Sequence, residues 1–61
     1  AQEPDNPRNY FLLGLAYFQT KEYNVSSYYF KKALSFAKDI GSIEVIKNWL
    51  NRPELAEYRK D

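Results

Sequence analysis

Few side chains of this sequence have the types and the spacing that catalysis requires. The chain contains no cysteine and no histidine, which excludes disulfides, thiolate metal sites and imidazole catalysis. Its serines consequently have no histidine to activate them as nucleophiles. Its carboxylates are scattered, and no two of them have the spacing of a general acid and a general base. We therefore predict that the protein is not an enzyme.

Candidate sites for ions, phosphates and sugars are also weak. The two glycines form no phosphate-binding loop, and the acidic stretch around Asp5 is too short and too rich in proline to form a calcium loop. We expect neither a metal site nor another cofactor. Residues 24–26 form an Asn-Val-Ser glycosylation sequon. We interpret Asn24 instead as a helix cap and Ser26 as a packed residue.

Two amphipathic helical patterns occupy residues 10–34, which read YFLLGLAYFQTKEYNVSSYYFKKAL. The polar joint between them is so short that only a tight antiparallel turn can connect them. The spacing predicts a first helix over 7–20, with Asn6 as its N-cap, and a second helix over 25–38, with Asn24 as its N-cap. The sequence therefore predicts an antiparallel helical hairpin.

Each predicted helix carries a stripe that fits the other helix. Gly14 costs about 0.5–1 kcal/mol relative to alanine in a helix interior, so we expect it to mark the close approach of another backbone. The stripe of the first helix contains Tyr10, Leu13, Gly14 and Tyr17, at i, i+3, i+4 and i+7. The stripe of the second contains Ser26, Tyr29, Phe30, Ala33 and Ala37. The polar face of the second helix, interpreted as solvated, carries Ser27, Lys31, Lys32, Ser35 and Lys38.

Two shorter segments follow the hairpin. Gly41 is placed to end the second helix in a left-handed conformation, and Ser42 to cap a third helix over 42–51. Pro53 interrupts the helical pattern, so a separate short helix is expected after it. The apolar stripe of the third helix consists of Ile43, Ile46 and Leu50, flanked by Val45 and by Trp49, which we interpret as a core anchor. The residues expected to dock the last segment are Leu55 and Tyr58.

The order and spacing of the hairpin residues resemble the tetratricopeptide repeat, a helix-turn-helix unit of roughly 34 residues. The positions that match its signature are Tyr10, Leu13-Gly14, Tyr17, Ser26, Phe30 and Ala33, with Tyr23 at the aromatic position of the turn. Three positions depart from the usual pattern, because Tyr10 replaces Trp, Ser26 replaces Ala and Lys38 replaces Pro. The last departure predicts that the second helix runs on past the usual stop.

We therefore predict an all-α protein. Residues 7–40 form the tetratricopeptide-like hairpin, and residues 41–61 form a capping helix and a short C-terminal helix, because no second Leu-Gly pair follows. Residues 1–6 are a linker or the end of a preceding repeat. The resemblance of this segment to a closing loop, and the lack of an initiating methionine, favour a piece of a longer protein. An ordinary capped loop is the alternative.

The resemblance implies a protein–protein interaction module. In the repeat family, the positions that match Arg8, Phe11, Leu15, Phe18 and Gln19 line a concave groove that binds peptides. Members that bind chaperones use Lys and Asn in this groove to hold a C-terminal carboxylate. In this chain, Phe11 and Leu15 stand at positions where those polar residues would be. The implied partner is therefore an apolar peptide or an amphipathic helix, held by a fragment of a larger scaffold.

The residues themselves leave a second interpretation open. Phe11, Leu15 and Phe18 lie within roughly 60° of one another on the helix, about 110° from the Tyr10–Tyr17 stripe. These three side chains either line the groove or pack on the third helix, on an upstream repeat or on a second copy of the chain. In the last two cases the protein is a structural oligomerisation or assembly element.

Charge and hydropathy narrow the class of partner. Nine basic and eight acidic residues give a net charge of +1, so electrostatics provide no reason to expect nucleic acid. No apolar run approaches the ~20 residues that span a bilayer, and we expect no membrane insertion. The absence of cysteine is compatible with the cytoplasm, which we favour as the compartment.

Overall fold

The computed structural model describes residues 6–58, so residues 1–5 of the predicted linker and residues 59–61 of the C-terminal segment lie outside the described residues. The described chain consists of α1 (Pro7–Gln19), α2 (Tyr23–Phe36), α3 (Ile40–Leu50) and a 3-10 helix (Pro53–Tyr58). The part of the chain that is described contains no strand, so the predicted all-α class is confirmed. Within the same residues, no helix has the length and the apolar character needed to cross a membrane.

The hairpin turn is tighter than predicted. Asn6 caps α1 as expected, because its side-chain oxygen accepts a hydrogen bond of 2.9 Å from the backbone N–H of Arg8. Lys21, at φ 66°, then reverses the chain, and the N–H of Glu22 donates to the carbonyl of Tyr17 over 2.9 Å. The helix α2 consequently begins two residues earlier than predicted, and the prediction of Asn24 as its N-cap is wrong.

The connection between α2 and α3 also differs from the prediction. The helix α2 ends at Phe36 and does not run past Lys38. Asp39 caps α3, since its carboxylate accepts a hydrogen bond of 2.9 Å from the N–H of Ser42. Gly41 therefore lies in the first turn of α3 without a positive φ, and both its left-handed cap and the N-cap role of Ser42 are wrong predictions.

The core forms where α2 is covered by α1, by α3 and by the 3-10 helix. Its buried apolar side chains are Phe30, Ala33, Ile46, Leu50 and Leu55. Leu55 is fully buried, which confirms its predicted docking role. Trp49 packs against this cluster, with its ring stacked on that of Phe30 at 5.6 Å, and is the core anchor that was predicted.

Gly14 faces the ring of Phe30 directly. A Cβ on Gly14 would lie 2.7 Å from Cδ1 of Phe30, so the close neighbour is an aromatic ring and not the expected backbone. The hydroxyl of Ser26 donates to the carbonyl of Gly14 over 2.7 Å within the same buried contact. Leu13 is 40% exposed, because α2 lies over Gly14 and leaves the preceding residue at the edge of the hairpin.

The 3-10 helix covers part of the predicted polar face of α2. Ser27 is buried, and its hydroxyl donates to the carbonyl of Tyr58 over 3.4 Å. The ammonium group of Lys31 donates to the same carbonyl. The interpretation of Ser27 as solvated is therefore wrong, because the returning C-terminal segment lies on that side of the helix.

Replacing Gly14 with alanine should destabilise the protein. Overpacking against Phe30 costs about 1–3 kcal/mol, which exceeds the ~0.5–1 kcal/mol that alanine gains over glycine in a helix. Urea unfolding followed by circular dichroism should show the loss. The effect of Gly14→Ala should be smaller when it is measured in the Phe30→Leu variant, that is, as the difference between the double variant and Phe30→Leu alone. A stabilised Gly14→Ala variant would contradict the contact.

Candidate functional site

The five residues predicted to bind a partner fall into two groups. Arg8 and Gln19 are exposed and lie near opposite ends of α1. Phe11, Leu15 and Phe18 are only partly buried and pack against the core cluster. We call these three residues the apolar flank of α1. The flank packs largely inside the molecule, and its surroundings change along the helix.

The C-terminal half of this flank is covered. The ring of Phe18 lies 5.2 Å from those of Tyr23 and Trp49, both in edge-to-face geometry. The guanidinium of Arg52 lies 5.3 Å from the Phe18 ring and 5.0 Å from the Trp49 ring. Arg52 is also 3.5 Å from the carboxylate of Glu54. Phe18 thus packs between the hairpin turn and the end of α3, and this half of the flank forms no groove.

The N-terminal half of the flank borders an open cleft of about 540 Å³. Phe11 packs on Phe30 with ring centroids 5.6 Å apart and also lines the cleft. The first turns of α1 and α3 form the two walls. The apolar lining consists of Pro7, Phe11, Val45 and Ile46. The polar lining consists of Asn6, Arg8, Asp39 and Ser42, with Gly41 beside them.

Opposite charges occupy the two walls of the cleft. Arg8 contributes the cation from α1, and Asp39 contributes the carboxylate from α3. The backbone hydrogen bond from Ser42, followed by the one from its side chain, lowers the pKa of Asp39 below its usual value of 3.8. Asp39 is therefore ionised at neutral pH and presents an acceptor opposite the donors of Arg8.

The lining determines what this cleft can do. It holds one cation, one carboxylate and one hydroxyl above an apolar floor, and it contains no nucleophile paired with a base. Among the described residues, no three His, Cys, Asp or Glu side chains are grouped to hold a metal ion. The arrangement is suited to accept an apolar side chain while polar groups at the rim fix its orientation.

The contribution of α3 to the cleft was missed by the sequence analysis. The predicted groove lay on α1 alone, whereas Val45, which is 47% exposed, and Asp39 complete the cleft from the other wall. Asp39 could have been found, because an aspartate three residues before a helical N–H is a capping signal. Val45 had a weaker signal, since it only flanks the apolar stripe of α3.

Comparisons of the chain with protein-family models, with curated proteins and with solved structures find no match. The geometry of the cleft is therefore what bears on its function.

The cap at Asp39 should make α3 sensitive to acid. Because the pKa of Asp39 is lowered in the folded state, its contribution to stability is present above the unfolded pKa and is lost as pH falls through the folded pKa. A carbon-detected NMR titration should give Asp39 a pKa below 3.8. Asp39→Asn should weaken the loss of stability between neutral and acidic pH, since asparagine caps without titrating. An unshifted Asp39 titration would contradict the cap.

Truncating Phe18 should affect folding. The change Phe18→Ala removes contacts to two aromatic rings and one guanidinium, and a loss of about 2–3 kcal/mol is expected for this partly buried side chain. Leu12→Ala is the matched control, because Leu12 lies on the same helix and is 50% exposed. It should change the free energy of unfolding by less than about 0.5 kcal/mol. Equal stability of the two variants, measured by urea unfolding, would show that Phe18 does not support the core.

Proposed function

We propose that this protein is a protein–protein interaction module of the tetratricopeptide type, and that the cleft between α1 and α3 binds a peptide or amphipathic helix. The observation that carries the proposal is an open apolar cleft with a polar rim, whose lining contains no nucleophile paired with a base. Its volume of about 540 Å³ lies within the range of about 300–1,000 Å³ typical of binding pockets.

The charges of the rim define the partner more closely. Arg8 favours a carboxylate on the side of α1, because guanidinium and carboxylate can form two parallel hydrogen bonds. Asp39 favours a basic or amide group on the side of α3. The best ligand is therefore a segment with one large apolar residue, an acidic neighbour on one side and a basic neighbour on the other. Phe11 and Val45 would supply most of the apolar contact.

The predicted roles of the remaining flank residues change in this proposal. Leu15 and Phe18 do not contact the ligand in this proposal; they pack against the core and hold α1 in position. Gln19 lies at the far end of α1 and would contact only a ligand that extends beyond the cleft. A scaffold containing further repeats would extend the binding surface along the chain.

A second candidate function is assembly, and the outer side of α1 favours it. Leu12 is 50% exposed and Leu13 is 40% exposed, on a helix whose single charged residue is Arg8. Adjacent exposed leucines on a helix surface often mark a place that another protein surface covers. In this alternative, another chain or a neighbouring repeat covers the outer leucines.

The binding proposal can be tested by selecting a displayed library of random 12-residue peptides against the full chain. Selected peptides should contain an apolar residue beside an acidic one. Val45→Asp should weaken their binding at least tenfold, about 1.4 kcal/mol, because it replaces an apolar contact on the α3 wall with a second carboxylate. Ile40→Asp is the control, since Ile40 is 76% exposed on the same helix and does not line the cleft.

Two results would contradict the binding proposal. One is equal loss of binding in both variants, and the other is a selection that enriches no peptide. If sedimentation equilibrium instead shows association that Leu12→Lys abolishes, assembly is the function.

A further inference from the structure

A second surface of the hairpin is built almost entirely from aromatic rings. Four rings from α1 and α2 stack on one another in a row, and Tyr28 packs edge-on against the third of them at 5.2 Å. We call these five residues the tyrosine ladder; in order they are Phe36, Tyr10, Tyr29 and Tyr17, with Tyr28 at the side. None of them lines the cleft between α1 and α3.

The ladder is ordered by its own packing. Successive ring centroids are 5.7, 6.3 and 5.7 Å apart, and successive planes differ by only 17°, 16° and 9°. The four rings are therefore nearly parallel, and each centroid is displaced from the next by more than the distance of a direct face-to-face stack. Tyr28 is 54% exposed, and the other four rings are partly exposed. Rings held in this way lose little conformational entropy on binding.

The two helices that carry the ladder contain basic side chains and no acidic ones. Neither α1 nor α2 contains an aspartate or a glutamate. The ammonium group of Lys32 lies 5.8 Å from the ring centroids of both Tyr10 and Tyr28, whereas that of Lys31 is bound to the carbonyl of Tyr58. The ladder therefore presents phenol hydroxyls and one ammonium group as donors, without a carboxylate nearby on either helix.

We propose that the tyrosine ladder binds an acidic, proline-rich peptide in the polyproline II conformation. Such a peptide has no internal hydrogen bonds, so its carbonyls are free to accept from phenol hydroxyls, and its pyrrolidine rings pack on aromatic edges. Proline also has no N–H, and the ligand is thus rich in acceptors and poor in donors. A glutamate beside the prolines places a carboxylate at Lys32.

The size of the ladder fits this ligand. A polyproline II helix rises about 9 Å in each turn of three residues. The three steps of 5.7–6.3 Å between the stacked rings therefore extend over about two turns of the peptide. The apolar surface, the donors and the single cation lie within that length.

Two other occupants fit the ladder less well. Single-stranded nucleic acid binds through several cations along its backbone, but of the two lysines of α2 one, Lys31, is bound to the carbonyl of Tyr58. A second copy would bring two ladders together, and each Lys32 would then meet a surface whose helices offer no carboxylate. An acidic peptide supplies the missing charge.

The test is an NMR titration of the full 61-residue chain with a blocked 12-residue peptide of repeating Pro-Pro-Glu. The tyrosine ring signals of the ladder should shift. A Pro-Pro-Lys peptide should bind at least tenfold more weakly, and a Gly-Ser-Glu peptide of equal length should not shift them, because it is flexible and lacks the proline rings.

Two variants and one control connect the shifts to the ladder. Tyr28→Phe removes one donor and Lys32→Gln removes the charge, and each should raise the Kd about threefold to tenfold. Tyr23→Phe is the matched control, because the Tyr23 ring packs on Phe18 outside the ladder. It should change the Kd by less than twofold, and circular dichroism should show that all three variants remain folded.

Several outcomes would overturn the proposal. These are an absence of shifts at millimolar peptide, equal affinity for the lysine peptide, and shifts confined to Phe11 and Val45 of the cleft. Ladder signals that move with protein concentration alone would assign the surface to self-association. Tighter binding of a 12-nucleotide oligothymidylate than of the Pro-Pro-Glu peptide would assign it to nucleic acid. The cleft and the ladder are separate surfaces, so failure at one does not decide the other.

Discussion

The fold depends on the contact between Gly14 and Phe30. The ring of Phe30 fits against α1 only because Gly14 has no side chain, and Phe30 is fully buried there. The hydroxyl of Ser26 bonds to the Gly14 carbonyl and sets the register of the two helices. Phe30 then supports Phe11 on one side and Trp49 on the other, so both the cleft and the docking of α3 follow from this one close approach.

The shape of the molecule leaves α1 with three different environments. One side packs on α2, a second borders α3 and the cleft, and a third carries Leu12 and Leu13 in partly exposed positions. A domain of this size buries only about 60% of the surface that its unfolded chain exposes. Apolar side chains therefore remain on its surface even after the core is complete. In the cleft and in the tyrosine ladder, these side chains lie beside polar groups.

The start of α3 couples folding to the cleft. Asp39 accepts the hydrogen bond that begins the helix. The same residue lines one wall of the cleft, and Arg8 lines the other wall. Sequence alone indicated a cap here but assigned it to Ser42, because two residues with capping side chains lie three positions apart and only one can begin the helix.

Sequence by itself determined the helical class, the cap at Asn6, the close approach of the second helix at Gly14, and the buried role of Leu55. Each of these follows from local spacing or from the size of a side chain, which are properties written in the order of the residues. The tertiary structure alone decided that Phe18 is covered while Phe11 borders a cleft, and that Ser27 is buried beneath the 3-10 helix. Phe18 and Ser27 each lie on a helix face whose polarity pattern is compatible with either burial or exposure. What decides between them is which distant segment, the end of α3 or the carbonyl of Tyr58, comes to lie on that face.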